Sequence, residues 1–403
     1  MSLNRSTEKT SMTTVNPRVS HTRLLRLTGP VYGYAFFEEF ILLYPLYALL
    51  FTEHGLTVTH ISALFVLWSL TSVLSTVPAG ALADLIPRRY LLATAPLLTG
   101  SAFALWLLLP SPWVFALGFV LWGAAGALSS GAFEALVYTE MDHRGATAGY
   151  AGVMGLTRAL GVAAVGVATV AAVPVMAHGG YLVIGLASVA ACLLCAICAL
   201  TLPEHRAPGE RGSDEGPGYR QTLRRGLAEV RHNRKVRPAL LLVVLVSAFW
   251  GSLEEYVPLL ARDSGVSAQS VPLVVLVVWT GVTLGGLSAG PASRLPGRAL
   301  AALMTLAAVA IAAGALLTGP WGWALLGLGF GACQAMMVVA DARLQETITG
   351  SSRATVTSLA DLGTETPGIA TFLVYAGVFA ALGHGATFAL FAAPHLLLAR
   401  RGD

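Results

Sequence analysis

Two pairs of adjacent carboxylates, Glu38-Glu39 and Glu254-Glu255, stand inside long apolar runs, one in each half of the 403-residue chain. An ionisable side chain at membrane depth costs roughly 3 kcal/mol or more on insertion scales, so it persists mainly where it lines a cavity or a pathway. Arg158, Asp361 and Glu365 fall near the middle of other apolar runs, and Glu134 and Asp341 nearer one end of theirs. Carboxylates bind cations and carry protons. Glu38, Glu39, Asp361 and Glu365 outnumber the one deep cation, Arg158, and such an excess cannot stay fully ionised in a low-dielectric site. One or more of them is therefore expected to hold a proton near neutrality, as a coupling residue must, and the site is biased toward cations. Asp361 and Glu365 share a helical face. Glu38 and Glu39 point about 100° apart, so at most one of them looks squarely into a common cavity. Aromatic residues near the pairs, with Tyr34, Phe37, Trp250 and Tyr256 foremost and Tyr44 beside them, offer π faces to an organic cation or a lipophilic ring.

The elements that position these groups follow from hydropathy. The chain is 55% hydrophobic and 11% charged, and apolar stretches of membrane-spanning length recur throughout it. A soluble globular protein is excluded, and the absence of period-two alternation excludes a strand barrel. Twelve runs stand out, near 29–52, 60–82, 90–110, 113–136, 148–173, 179–202, 239–261, 269–291, 298–318, 321–343, 355–378 and 382–399. On this ladder the helix-one acids, Arg158, Asp361 and Glu365 lie near mid-membrane, Glu254 and Glu255 nearer the outside, and Glu134 and Asp341 nearer the cytoplasm.

Basic residues gather in alternate loops, including Arg88-Arg89, Arg144, the segment 206–237, Arg294, Arg298 and Arg353, and only Arg262 breaks the pattern. Because cytoplasmic loops are enriched in Lys and Arg, both termini are expected in the cytoplasm. The net charge of +4 then needs no nucleic-acid partner, since the excess faces an anionic leaflet. The first run is too long and too acidic for a cleavable signal.

Residues 1–22 read as a disordered cytoplasmic tail, 23–202 as a six-helix half, 203–238 as a cytoplasmic linker with a basic amphipathic helix over 219–235, and 239–403 as a second six-helix half. Short matches tie the halves together. Ala146-Thr147 precedes Gly155 as Ala354-Thr355 precedes Gly363, and the Glu pairs precede Pro45 and Pro258. They occur in the same order and in matching topological slots, which implies a parallel duplication. Cys192, Cys195 and Cys198 lie on one face of an apolar run without a His nearby, so they read as packing residues and no metal is expected.

The segment Gly80-Ala81-Leu82-Ala83-Asp84-Leu85-Ile86-Pro87-Arg88-Arg89 resembles the signature between helices two and three of the major facilitator superfamily, matching its first Gly, its Asp and its basic pair. Leu85 and Pro87 depart from the signature. The resemblance implies an all-α polytopic fold of twelve transmembrane helices in two pseudo-symmetric halves. It implies a cytoplasmic gate containing Gly80, Asp84, Arg88, Arg89, Glu134 and Asp341, with Asp84 docked near the start of helix eleven and Arg88 or Arg89 meeting Glu134, Glu140 or Asp142. It places helices five and eight, each with several glycines, between the halves, where those glycines serve either a sliding interface or static packing. Arg158 either bridges Glu38 or Glu39 or contacts substrate.

The functional expectation is a secondary transporter similar to bacterial proton-coupled multidrug and small-molecule exporters, working by alternating access on amphipathic or cationic molecules. Its partners are substrate, protons and the bilayer; no cofactor is expected. A proton symporter importing a small organic nutrient is the alternative, and a non-transporting receptor a third reading. No P-loop or HExxH is present, and the one GxSxG match, Gly286-Leu287-Ser288-Ala289-Gly290, lies inside an apolar run, which argues against common enzyme types. A monomer in a bacterial cytoplasmic (inner) membrane is the expected setting.

Overall fold

In a computed structural model the described residues are 17–205, 236–317, 319–347 and 353–400; within them the side chains of 17–26, 84, 238, 245, 248, 249, 345, 353–362 and 397–400 are not described. The linker helix expected over 219–235 lies outside the described residues. All regular structure among the described residues is helical. That is the form in which an apolar chain in lipid satisfies its own backbone.

The first group of helices is α1 (Pro17–Glu39), α2 (Tyr47–Glu53), α3 (Val58–Leu85), α4 (Arg88–Leu108), α5 (Pro112–Ser129), α6 (Ala132–His143) and α7 (Tyr150–Thr201). The second is α8 (Val236–Glu254), α9 (Val257–Asp263), α10 (Val271–Ser293), α11 (Gly297–Leu317), α12 (Gly319–Thr347) and α13 (Arg353–Arg400). Because α1 starts at Pro17, residues 17–22 are helical rather than the end of a disordered tail. Eight stretches among the described residues are long and apolar enough to cross a membrane. The two longest helices are broken, α7 at Gly180 (φ 58°) and α13 at Gly383 (φ 74°). Both glycines adopt the left-handed conformation that other residues avoid.

The expected continuous helices over 29–52 and 239–261 are each interrupted directly after a carboxylate pair or within it. α1 ends at Glu39 and α2 resumes at Tyr47; α8 ends at Glu254 and α9 resumes at Val257. A proline, which has no N–H to donate, lies in or just past each break, Pro45 in the first and Pro258 beyond the second. At the first break the Leu43 amide donates to Ser188 Oγ of α7 at 3.0 Å, which satisfies a backbone group that has left its helix.

Contacts sort the helices into two bundles. α7 packs on α1 and α4, and α5 on α3 and α4; α12 packs on α10, α11 and α8, and α13 on α11 and α8. The bundles meet through α3 with α13, α7 with α10, and α2 with α9. Of the glycines expected between helices five and eight, Gly161, Gly281 and Gly285 pack closely within a bundle, whereas Gly152, Gly155, Gly166 and Gly290 have open space around them. A Cβ on Gly281 or Gly285 of α10 would stand 2.0 or 1.9 Å from the carbonyl oxygen of Gly327 or Gly331 of α12, and one on Gly161 of α7 would meet Glu39 Cγ of α1 at 3.4 Å.

At the end carrying α2 and α9 the bundles are sealed together. Ser62 Oγ and Tyr256 Oη are 2.6 Å apart, and the Phe65 ring packs on Tyr256 at 5.6 Å and on Phe372 at 5.2 Å. At the opposite end the terminus of α3 stands clear, with Leu85 78% exposed. Polar contacts there tie the first bundle to itself. Glu204 accepts the Arg88 and Arg89 amides at 2.8 and 3.1 Å, and Glu140 pairs with Arg144 and His205.

Candidate functional site

Each interrupted helix leaves its carboxylates beside its own C-terminal carbonyls, where the helix dipole adds negative potential. The two breaks face each other across a cavity of about 190 Å³ between the bundles. The first bundle contributes Glu39 from the end of α1, Tyr44 and Pro45 from the break, Tyr47 from the start of α2, Trp68, Trp122 and Thr169; the second contributes Glu254, Glu255, Pro258 and Trp279. Among the described residues no basic side chain lines it. On the first bundle the aromatic wall is a stack, with Tyr44 on Trp122 at 5.6 Å and 9° between planes, and Trp68 on Trp122 at 5.3 Å. Carboxyl groups beside indole and phenol faces are a chemistry that suits an organic cation.

A second cavity of about 150 Å³ shares Glu39, Tyr44 and Trp122 with the first and runs into the first bundle, where Phe37, Glu38, Thr99, Ser129, Cys192 and Cys195 line it. Glu38 accepts a hydrogen bond from Tyr34 Oη at 3.1 Å, and the Tyr34 ring is buried against Phe133 with centroids 5.0 Å apart. Glu39 therefore borders both cavities, whereas Glu38 borders only the second.

The sequence-expected residues distribute as follows. Glu39, Glu254 and Glu255 come together at one level, although an unbroken-helix reading places the second pair nearer the outside. Glu38 and Phe37 face the side cavity, and Tyr34 supports Glu38 from behind. Tyr256 belongs to the seal, stacked on Tyr375 at 3.6 Å, and Trp250 is buried against Phe330 with its indole nitrogen unpartnered. Neither lines the two cavities.

Arg158 is exposed and lines neither cavity; it and Glu134, also exposed, both act electrostatically on Tyr150. Glu365 and Asp341 are exposed on α13 and α12. The side chains of Asp84 and Asp361 lie outside the described ones, and around Gly80 there is open space. Among the described residues the Arg88 guanidinium reaches Thr139 Oγ1 at 3.3 Å and the Arg89 guanidinium lies 4.9 Å from the Tyr90 ring centroid, while Glu140 is engaged by Arg144 and His205.

Sequence reasoning does not single out Tyr47, Trp68, Trp122 and Trp279, which line the cavity, or Glu204, which accepts the Arg88 and Arg89 amides. Tryptophans in apolar spans look alike whether they face lipid or a cavity. Tyr47 alone carries a local signal, following Pro45 in a helix that also holds an acid pair.

A family model described as Major Facilitator Superfamily matches residues 30–371. The chain belongs to the major facilitator superfamily. This facilitator protein is similar in fold to solved transporters. A mutant of the nucleoside transporter NupG matches with a TM-score of 0.78 at 14% identity, covering 93% of this chain and 98% of that one. A bacterial homolog of the human lysosomal transporter Spinster, in an inward-facing and unoccupied conformation, matches with 0.67 at 15%, covering 96% and 94%. A POT family transporter in complex with a thioalcohol-conjugated peptide matches with 0.66 at 12%, covering 93% and 94%. Such identities carry the fold alone. No curated protein matches the chain. The facilitator protein is thus a multi-pass membrane protein with a transporter's architecture rather than an enzyme's.

Proposed function

We propose that this facilitator protein is a proton-coupled exporter of amphipathic organic cations, working by alternating access. The observation that carries the reading is the convergence of Glu39 with Glu254 and Glu255 in one aromatic-walled cavity between the bundles. Paired interrupted helices at corresponding positions of two halves are where many secondary transporters place their ligands.

The layout we infer has twelve spans in two halves, 23–202 and 239–403. Splitting α7 at Gly180 and α13 at Gly383, and taking α1 with α2 and α8 with α9 as single discontinuous spans, brings the eight apolar stretches to that number. With the basic loops in the cytoplasm of a bacterial cell, the sealed end with α2 and α9 is outermost, both termini are inside, and the site opens inward.

A cation enters from the cytoplasm, settles on the Tyr44–Trp122–Trp68 stack, and displaces protons from the carboxyl groups. The halves rock, the site opens outward, and protons replace the cation for the return. Glu39 borders both cavities and is the group at which the two ligands compete. Arg158 and Glu134 stand at the inner mouth.

The test is proton movement in proteoliposomes with an imposed pH gradient, using tetraphenylphosphonium as probe. Proton flux opposite to cation flux establishes antiport. Co-directional flux moves the protein to symport, and binding without flux identifies a receptor; either outcome overturns the proposal.

A further inference from the structure

We propose that Tyr47 is a latch through which occupancy of the cavity is felt at the sealed end, an inference that rests on the cation reading above. Tyr47, the first residue of α2, donates its hydroxyl to Glu255 Oε2 in the break between α8 and α9. The bond crosses from one bundle to the other, and both partners line the cavity. It therefore belongs at once to the binding site and to the contact that holds the bundles together.

The seal lies one residue further on. Tyr256 follows Glu255 directly, pairs with Ser62 of α3, and stacks on Tyr375 of α13, whose hydroxyl is 2.6 Å from His384 Nδ1. A movement of Glu255 is thus a movement of the residue that closes the end. A neutral ligand without a hydrogen-bond donor has no claim on Glu255, and Tyr47 keeps it. A cation competes for the same carboxylate, and once Glu255 has turned to the ligand the link between α2 and the second bundle is gone. The bond consequently makes opening of this end conditional on a charged occupant. It also taxes binding, because each cation bound in the sealed state must first displace the phenol.

This sign separates a latch from a supporting residue. If Tyr47 merely shaped the site, Tyr47→Phe would weaken binding or leave it unchanged. As a latch, its removal tightens binding of tetraphenylphosphonium about tenfold, the order of a lost hydrogen bond to a charged acceptor. Hydrogen–deuterium exchange of the full-length protein, without any ligand, supplies a second arm. Tyr47→Phe should speed exchange across α2 and α9, and Glu255→Gln, which keeps the shape and lowers the charge on the acceptor, should do the same.

Unchanged exchange in both variants would overturn the latch. So would unchanged or weaker cation binding by Tyr47→Phe. If the wild-type protein does not bind tetraphenylphosphonium, the cation reading has failed, and the ligand-free exchange alone decides whether Tyr47 holds the end closed.

Discussion

Glu38 and Glu39 are neighbours in the chain with different surroundings. Glu39 borders both cavities and touches the inter-bundle space, whereas Glu38 faces only the side cavity and is held by Tyr34. Glu39→Gln should lower proton-coupled cation flux by at least about tenfold, the loss expected when a charged contact to a cation is removed. Glu38→Gln should cost markedly less, and initial rates in the proteoliposome assay compare the two directly. Comparable losses would mean that the cavity wall does not set the division of labour. The roughly 100° between successive helical positions made it legible that one of the pair faces the common space. Which one depends on where α1 stops, and that is a property of the element rather than of the residue. For Arg158 hydropathy gives depth along a span and says nothing of its facing: its side chain is exposed and lines neither cavity.

At the scale of elements, two interrupted helices bring their acids to one level, and something must take up the backbone groups so released. Ser188 does this for Leu43, and it is itself fully buried. Ser188→Ala should destabilise the protein by about 1–3 kcal/mol, the cost of leaving a buried donor unpaired. A lowered thermal unfolding midpoint in detergent, against an unaffected Ser247→Ala control on α8, checks it. An unchanged midpoint would mean that another acceptor reaches the Leu43 amide. That a proline, Pro45 or Pro258, follows each acid pair was visible in the sequence. The breaks themselves were not, since a proline in a membrane helix more often bends it than ends it. Glycine spacing likewise announced close helix contact but not the partner: α10 uses Gly281 and Gly285 against α12 within its own bundle.

For the whole molecule, hydropathy carried the recurrence of membrane-spanning helices, and the loop charges suggested an orientation, but a transporter's sequence must fit at least two arrangements and so cannot announce which is adopted. The arrangement here is sealed at the α2 and α9 end, with Leu85 of α3 78% exposed at the other. If the molecule rocks, the terminus of α3 must be covered in the opposite state. A charge there would resist burial, so Leu85→Asp should slow transport severalfold while leaving tetraphenylphosphonium affinity near the wild-type value. Flux in proteoliposomes set beside equilibrium binding in detergent measures the split, and an equal loss of both would refute the rocking geometry. Of the protein's 8 tryptophans, Trp68, Trp122 and Trp279 stand on the cavity wall. Indole emission responds to a cation or a dipole at van der Waals contact, so the arrival and departure of cargo are written into the ultraviolet fluorescence of the unmodified protein, and a turnover cycle can be followed by light alone.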